Sequence, residues 1–448
     1  MSRLFGTDGI RGVANSFPIT AEMALKVGMS IAHLCRRPGH VPRIVIGKDT
    51  RLSGYMIENA LVSGVCAMGA EALLIGVMPT PGVAFITANM RADAGIVISA
   101  SHNPYEDNGI KLFSKTGYKL PDERELEIEE LVFSGELEKL AVSSREIGKA
   151  YRIEDARGRY IVFLKNTFPE ELTLEGRKVV LDCANGATYR VAPSVFFELG
   201  AEVVALFHEP DGKNINQKCG SQHVEALTEA VIRNRADAGF AFDGDGDRVI
   251  AVDDKGGMWT GDQILALCAS AMKRQGRLKN DRVVSTVMSN LGLKVALKEL
   301  GILHLETNVG DRCVLEEMRA RAAVLGGEES GHLIFLDHHS TGDGIVAALQ
   351  LLRVVCEQGR PLSELGVMSV FPQKLINVPV KSKPPLEEVP ALAAAIRQAE
   401  ERMGERGRIL VRYSGTQQMC RVMVEGPTAG ETESVCSALA GVVQSCLG

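Results

Sequence analysis

Short apolar runs recurring in threes constrain this 448-residue chain more than any other feature. The first group lies at 43–47, 72–76 and 94–99, the second at 178–183, 202–207 and 238–242, and the third at 282–286, 303–306 and 323–325. Most of the runs are rich in Val, Ile and Leu without alternating with polar residues, and a segment of helical periodicity separates each from the next. Such runs predict parallel strands buried on both faces, hence three related α/β units with mixed, mostly parallel sheets. An unusual loop follows the third run of each group. Ligands of open α/β sheets gather at the carboxyl ends of strands, so three such loops are expected to converge.

The last stretch is different. It predicts a strand at 375–380, a helix over 386–403 opened near Pro384 and Pro385, two strands within 408–425 around the turn Ser414-Gly415-Thr416, and a terminal amphipathic helix through Val435, Leu439 and Val443. The expected organisation is therefore three α/β domains, 1–150, 151–253 and 254–365, followed by a smaller α+β domain at 366–448, with boundaries near Tyr151, Asp254 and Gly366.

Charge narrows the partners. Lys and Arg number 50 against 56 Asp and Glu, a net charge of −6, which argues against broad nucleic-acid or anionic-membrane binding. The start of the chain lacks the apolar core of a signal peptide, and no apolar run has the length of a membrane span. The 10 cysteines form no Cys-x-x-Cys pair, a pattern that fits incidental thiols in a reducing cytoplasm better than zinc or disulfide frameworks. A cytoplasmic chain is the expectation. The sequence leaves the oligomeric state open, a homodimer included.

The chemistry lies in the loops. Ser-Ala-Ser-His-Asn-Pro at 99–104 places the Ser101 hydroxyl at the end of a strand. A serine hydroxyl is a weak nucleophile without help. His102 is expected to point to the opposite face, as strand neighbours do. Lys111 is the better helper, because Asn108-Gly109 can turn the chain back before it. A capping serine in an ordinary turn is the structural alternative.

The second loop strings Asp243, Asp245 and Asp247 on a Gly-rich turn. All-oxygen ligation favours a hard divalent ion such as Mg²⁺, and the residues that follow do not continue as an EF-hand. Gly327-Glu-Glu-Ser-Gly-His332 offers acceptors and donors suited to sugar hydroxyls, with His332 available for proton transfer. Arg412 and Arg421 bracket Ser414, Gly415 and Thr416 in a turn that can receive a phosphate dianion.

These four loops, in this order, resemble those of the alpha-D-phosphohexomutase superfamily over essentially the whole chain. Leu4-Phe-Gly-Thr-Asp-Gly-Ile-Arg-Gly12 with Thr307-Asn-Val-Gly-Asp-Arg312 is similar to the phosphoglucosamine mutase branch. The resemblance implies four domains around a central cleft, with one Mg²⁺ per chain held by Asp243, Asp245, Asp247 and Ser101. It implies that Ser101 carries a phosphoryl group, that Arg11 and Lys111 lie beside it, and that His332 moves a proton. It further implies that Glu328 and Ser330 contact the sugar, and that Arg412, Ser414, Gly415, Thr416 and Arg421 hold the non-reacting phosphate. The implied reaction interconverts glucosamine 6-phosphate and glucosamine 1-phosphate through a hexose 1,6-bisphosphate, which also serves as activator. The alternative within the superfamily is a glucose or mannose phosphate mutase. A non-catalytic sugar-phosphate sensor and a metal-dependent phosphatase are rivals from other classes. Gln417 and Gln418 depart from the superfamily's usual Glu-Pro after the Ser-Gly-Thr turn, which puts the fine geometry of that loop in question.

Overall fold

In a computed structural model, which describes residues 4–6, 8–414 and 418–448, each group of runs builds one sheet. The first contains β1 (Ile10–Val13), β2 (Arg43–Lys48), β3 (Glu71–Val77), β4 (Ala94–Ile98), β5 (Asp107–Ser114) and β6 (Ala150–Arg152), in the order β1-β5-β4-β2-β3-β6. The second contains β7 (Lys178–Asp182), β8 (Glu202–Leu206), β9 (Ala238–Phe242), β10 (Val249–Asp253) and β11 (Met258–Trp259), in the order β11-β10-β9-β7-β8. The third contains β12 (Arg282–Thr286), β13 (Leu303–Thr307), β14 (Leu325–Gly327) and β15 (Leu333–Phe335), in the order β13-β12-β14-β15.

One plan repeats in all three. Two parallel strands flank a central one, β3 and β4 about β2, β8 and β9 about β7, and β13 and β14 about β12. The third parallel strand then pairs antiparallel with the strand after it, β4 with β5, β9 with β10, and β14 with β15. Each return is made by one of the loops singled out above. β4 and β9 are buried at every position, which explains their lack of alternation.

Two expectations are corrected. The last run of the third group forms a strand at Leu325–Gly327 and not at 323–325. Ala322 adopts a left-handed conformation (φ 53°) that ends the helix Asp311–Arg321, so the chain spends Ala323 and Val324 leaving that helix. Asn108-Gly109 does not make the turn before Lys111; both residues already lie in β5, with Gly109 opposite Arg11 on β1.

By its internal contacts the chain divides into two compact units, residues 1–287 with 303–366, and residues 288–302 with 367–448. In the second unit, β16 (Gln373–Pro379), β17 (Arg408–Tyr413) and β18 (Met419–Glu425) form an antiparallel sheet in the order β16-β18-β17. The helices Pro390–Met403 and Ala429–Leu447 pack on it through Leu392, Val435, Leu439 and Val443. The first of these helices starts later than expected: a 3-10 turn occupies Leu386–Glu388, Val389 stays extended, and Pro390 takes the first helical position. Residues 288–302 join this unit because Asn290 Nδ2 donates to the Phe371 carbonyl (3.0 Å) and to Glu425 Oε1 (3.1 Å). Among the described residues no helix is long and apolar enough to cross a membrane.

Candidate active site

The serine loop is built around a buried arginine. Arg51 is fully buried, and its Nε donates to Asp49 Oδ2 (2.8 Å). Its terminal nitrogens donate to the carbonyls of Ser101 (2.9 Å), Asn103 (2.8 Å), Asp107 (3.1 Å) and Pro104. Asp49 in turn accepts from the Ser99 hydroxyl (2.6 Å), and Ser99 Oγ accepts the Ser101 N–H (3.0 Å). Asn216 Nδ2 adds a second donor to the Ser101 carbonyl (2.9 Å). These bonds hold Ser101 at φ 53°, a left-handed conformation that costs a non-glycine residue roughly 1–2 kcal/mol.

That conformation corrects the expectation for His102. Strand alternation does not apply across a left-handed residue, and His102 Nδ1 lies 3.2 Å from Ser101 Oγ. Burial, followed by Arg248 and Arg11, pulls the His102 imidazole down to about 4, so it is neutral at pH 7.

Replacing Arg51 by Ala leaves Asp49 buried without its cation and four carbonyls short of a donor. The expected loss is about 3–5 kcal/mol of unfolding free energy in denaturant titration. Arg51→Lys is expected to recover only part of it, because an ammonium cannot span the same carbonyls with one planar fork.

The aspartate loop approaches the serine loop closely. A Cβ on Gly244 would stand 2.5 Å from the Ser101 carbonyl oxygen, so only glycine fits there. Ser101 Oγ donates to Asp243 Oδ2 at 2.6 Å. One carboxylate oxygen from each of Asp243, Asp245 and Asp247 lies within 4.8 Å of the others, and all three residues are buried. Thr80 Oγ1 donates to Asp245 Oδ2 (2.6 Å), as does Lys111 Nζ (2.9 Å). Asp245 Oδ1 and Asp247 Oδ1 are buried and make no hydrogen bond among the described residues.

The electrostatics fit a cation at this point. Burial first, then Asp247 and Asp245, push the Asp243 carboxyl well above its ordinary range. Burial also opposes ionisation of Asp247, but Lys111 and His332 outweigh it and hold that carboxyl low. Three close carboxylates with two unbonded oxygens and no soft ligand suit a hard divalent ion such as Mg²⁺.

A network of further charges extends from the triad. Lys111 Nζ also contacts Asp8 (3.1 Å) and Asp247 (3.5 Å). Asp8 in turn pairs with Arg11 and with Lys119 (2.6 Å), and Lys119 pairs with Asp311. Burial alone would raise the Asp8 carboxyl, yet Lys111, Lys119 and Arg11 hold it well below the ordinary carboxylate range. His332 is buried, with Nδ1 3.7 Å from Asp247 and Nε2 3.8 Å from Asp311. Burial works against its charged form, but Asp247, Asp311 and Glu328 together raise its pKa. Glu328 Oε1 accepts the Gly310 N–H (3.0 Å). A cavity of about 670 Å³ opens over this arrangement, lined among others by Arg11, Arg248, Glu328, Ser330 and His332.

The first unit thus brings together Ser101, Lys111, Arg11, the three aspartates, His332, Glu328 and Ser330. Arg412, Ser414 and Arg421 belong to the second unit. There Arg412 on β17 stands directly opposite Arg421 on β18, and the Lys383 ammonium donates to the Ser414 carbonyl (2.6 Å). Gly415, Thr416 and Gln417 lie outside the described residues.

Comparison with known proteins matches the chain to four described domains. Models of the phosphoglucomutase/phosphomannomutase alpha/beta/alpha domains I, II and III match residues 2–139, 158–257 and 260–370, and the C-terminal domain matches 375–442. A phosphoglucosamine mutase of Syntrophus aciditrophicus is 62% identical over 449 residues, with 100% of both chains covered. One of Syntrophobacter fumaroxidans is 58% identical, again over 100% of both. The chain belongs to the phosphoglucosamine mutase family. It is therefore an isomerase of the phosphohexomutase class.

Solved structures share the family's fold at greater sequence distance. A phosphoglucomutase/phosphomannomutase family protein of Burkholderia thailandensis superposes with a TM-score of 0.82 at 23% identity, covering 99% of this chain and 97% of that one. An Aspergillus fumigatus N-acetylphosphoglucosamine mutase in complex with GlcNAc-6P and magnesium gives 0.66 at 17% identity, covering 99% and 96%.

Sequence reasoning did not single out Arg51, Asp49, Thr80, Asp8, Lys119, Asp311 or Arg248. Asp8 and Asp311 stand inside the motifs that carry the phosphoglucosamine mutase resemblance, and Arg248 directly follows the three aspartates, which are the signals that could have found them. Arg51 and Thr80 carry no such mark.

Proposed function

We propose that this chain interconverts glucosamine 6-phosphate and glucosamine 1-phosphate by way of phosphorylated Ser101. Ser101 Oγ, 2.6 Å from a carboxylate of a buried acidic triad, is the observation that carries the proposal. A hydroxyl so placed gives up its proton to a neighbouring base when it accepts phosphate, and Asp243 is the acceptor in reach. In the forward direction phospho-Ser101 donates to the sugar O1, giving a 1,6-bisphosphate, whose 6-phosphate then returns to Ser101.

Each residue has work in this scheme. Lys111 and Arg11 hold the transferring group and balance its charge. Asp8 pairs with both cations and aims them. His332, held between Asp247 and Asp311, exchanges a proton with the sugar hydroxyl. Glu328 and Ser330 accept from and donate to the ring hydroxyls. Asp243, Asp245 and Asp247 would hold Mg²⁺ together with an oxygen at Ser101, and the ion, when bound, supplies charge neutralisation at the transferring phosphoryl group.

The hairpin of the second unit is proposed to take the other phosphate. Arg412 and Arg421 are direct cross-strand neighbours, so their like charges repel on one face of the sheet, and Arg421 Nε is buried with no hydrogen-bond partner among the described residues. A dianion between them removes the repulsion and supplies the missing acceptor. Ser414, Gly415 and Thr416 complete this proposed loop. The working location is the cytoplasm, the compartment that fits ten free cysteines.

A coupled assay tests the sugar. Magnesium-supplemented protein, primed with hexose 1,6-bisphosphate, is expected to turn over glucosamine phosphate with kcat/KM at least about tenfold above glucose or mannose phosphate, a difference of roughly 1.4 kcal/mol in transition-state binding. Equal or faster turnover of glucose or mannose phosphate would keep the chemistry and overturn the substrate.

A further inference from the structure

Away from the acidic cleft, a second cavity of about 510 Å³ opens beside the carboxyl ends of β2 and β3. It shares no lining residue with the cleft over the triad. The carboxyl ends of parallel strands are where α/β sheets receive ligands, because the connecting loops diverge there and leave a crevice. The proposed reaction gives this crevice no task.

Its lining is cationic and aromatic. Lys48, the last residue of β2, has a side chain only 8% exposed, paired with Glu58, and its ammonium stands 4.2 Å from the centroid of the Tyr55 ring. Arg152, Arg157 and Arg190 also line it. None of these three guanidiniums has a carboxylate partner among the described residues, although Glu154 lines the same cavity. Arg190 stacks instead over the Tyr189 ring, 5.1 Å from its centroid.

Four cations therefore face two carboxylates in a chain whose net charge is −6. One of those carboxylates, Glu58, is already committed to Lys48. These exposed guanidiniums lie along one concave wall, where they repel one another and offer forked donors without a carboxylate acceptor. Phosphate oxygens match that fork geometry. The Tyr55 ring, 58% exposed, and the Tyr189 ring add flat apolar surface at the same place. A planar base stacks on such rings with a gain of about 1–3 kcal/mol.

From this lining we infer that the cavity binds a nucleoside polyphosphate. Arg152, Arg157 and Arg190 take the phosphates, and the base lies against a tyrosine ring. Inorganic phosphate or pyrophosphate shares the anionic half of this chemistry but has no use for the rings.

Calorimetric titration of the full chain with ADP, with pyrophosphate and with adenosine separates the cases. Three proteins are compared: wild type, Arg152→Ala/Arg190→Ala and Tyr55→Ala. ADP is expected to bind the wild type, and the double arginine variant to bind it at least tenfold more weakly. Tyr55→Ala is expected to weaken ADP severalfold while leaving pyrophosphate unchanged. The replaced residues are exposed, and thermal melts together with hexose-phosphate turnover equal to wild type would show that each variant is folded. ADP binding that survives the double variant unchanged would overturn the site, as would no ADP binding to the wild type at millimolar concentration. Pyrophosphate binding as tight as ADP and indifferent to Tyr55 would overturn the nucleotide as ligand.

Discussion

Ser101→Ala is expected to lower kcat by about 10⁴-fold or more while leaving the fold intact, a loss on the scale seen when an enzyme's nucleophile is removed. The two halves of this expectation come from different atoms of one residue. The carbonyl of Ser101 anchors the loop through Arg51 and Asn216, and alanine keeps it. The left-handed backbone at φ 53° strains serine and alanine alike, so the substitution adds little conformational cost. Only the hydroxyl, and its 2.6 Å bond to Asp243, disappears. Kinetics on primed enzyme, with a thermal melt beside them, check both halves. A variant that keeps more than about a hundredth of wild-type kcat would mean that phosphate travels by a route other than Ser101.

The second large effect concerns the triad. Magnesium at a hundredfold excess over its dissociation constant is expected to stabilise the wild type by about 2.7 kcal/mol, visible as a rise in Tm of roughly 2–4 °C. Chelation should reverse the rise and abolish turnover. Asp245→Ala should remove the magnesium-dependent part of Tm, since the Asp245 carboxylate has one buried oxygen without any hydrogen bond and therefore a coordination position to offer. Asp245 also meets Lys111 and Thr80, so the variant will melt lower even without magnesium; the difference with and without the ion is the informative quantity. An unchanged magnesium response in Asp245→Ala would place the ion elsewhere.

How much of this could be read in the sequence follows from how far each signal reaches along the chain. The strands were legible because a parallel strand covered on both faces must be apolar throughout, as β4 and β9 are. The loops were legible because each closes the same third strand onto its antiparallel neighbour, a position the repeat itself marks. The geometry between loops was not. Lys119 meets Asp311 across 192 residues and Lys111 meets Asp245 across 134, separations over which no local pattern operates. Arg51 was silent for another reason: a lone arginine reads as surface, and only the carbonyls turned inward by the serine loop make its burial tolerable. His102 was misplaced because strand alternation was extended across Ser101, whose positive φ ends it. The β14 strand slipped by two residues because its two glycines carry no apolar signal, although both pair with β15.

Peptide mass spectrometry after brief incubation with hexose 1,6-bisphosphate, quenched and digested, tests the central claim most directly. A single phosphoryl group on Ser101, formed in the presence of magnesium and lost to glucosamine 6-phosphate within one turnover, is the expected result. Turnover with Ser101 unmodified, or with the phosphoryl group on another residue, would contradict it.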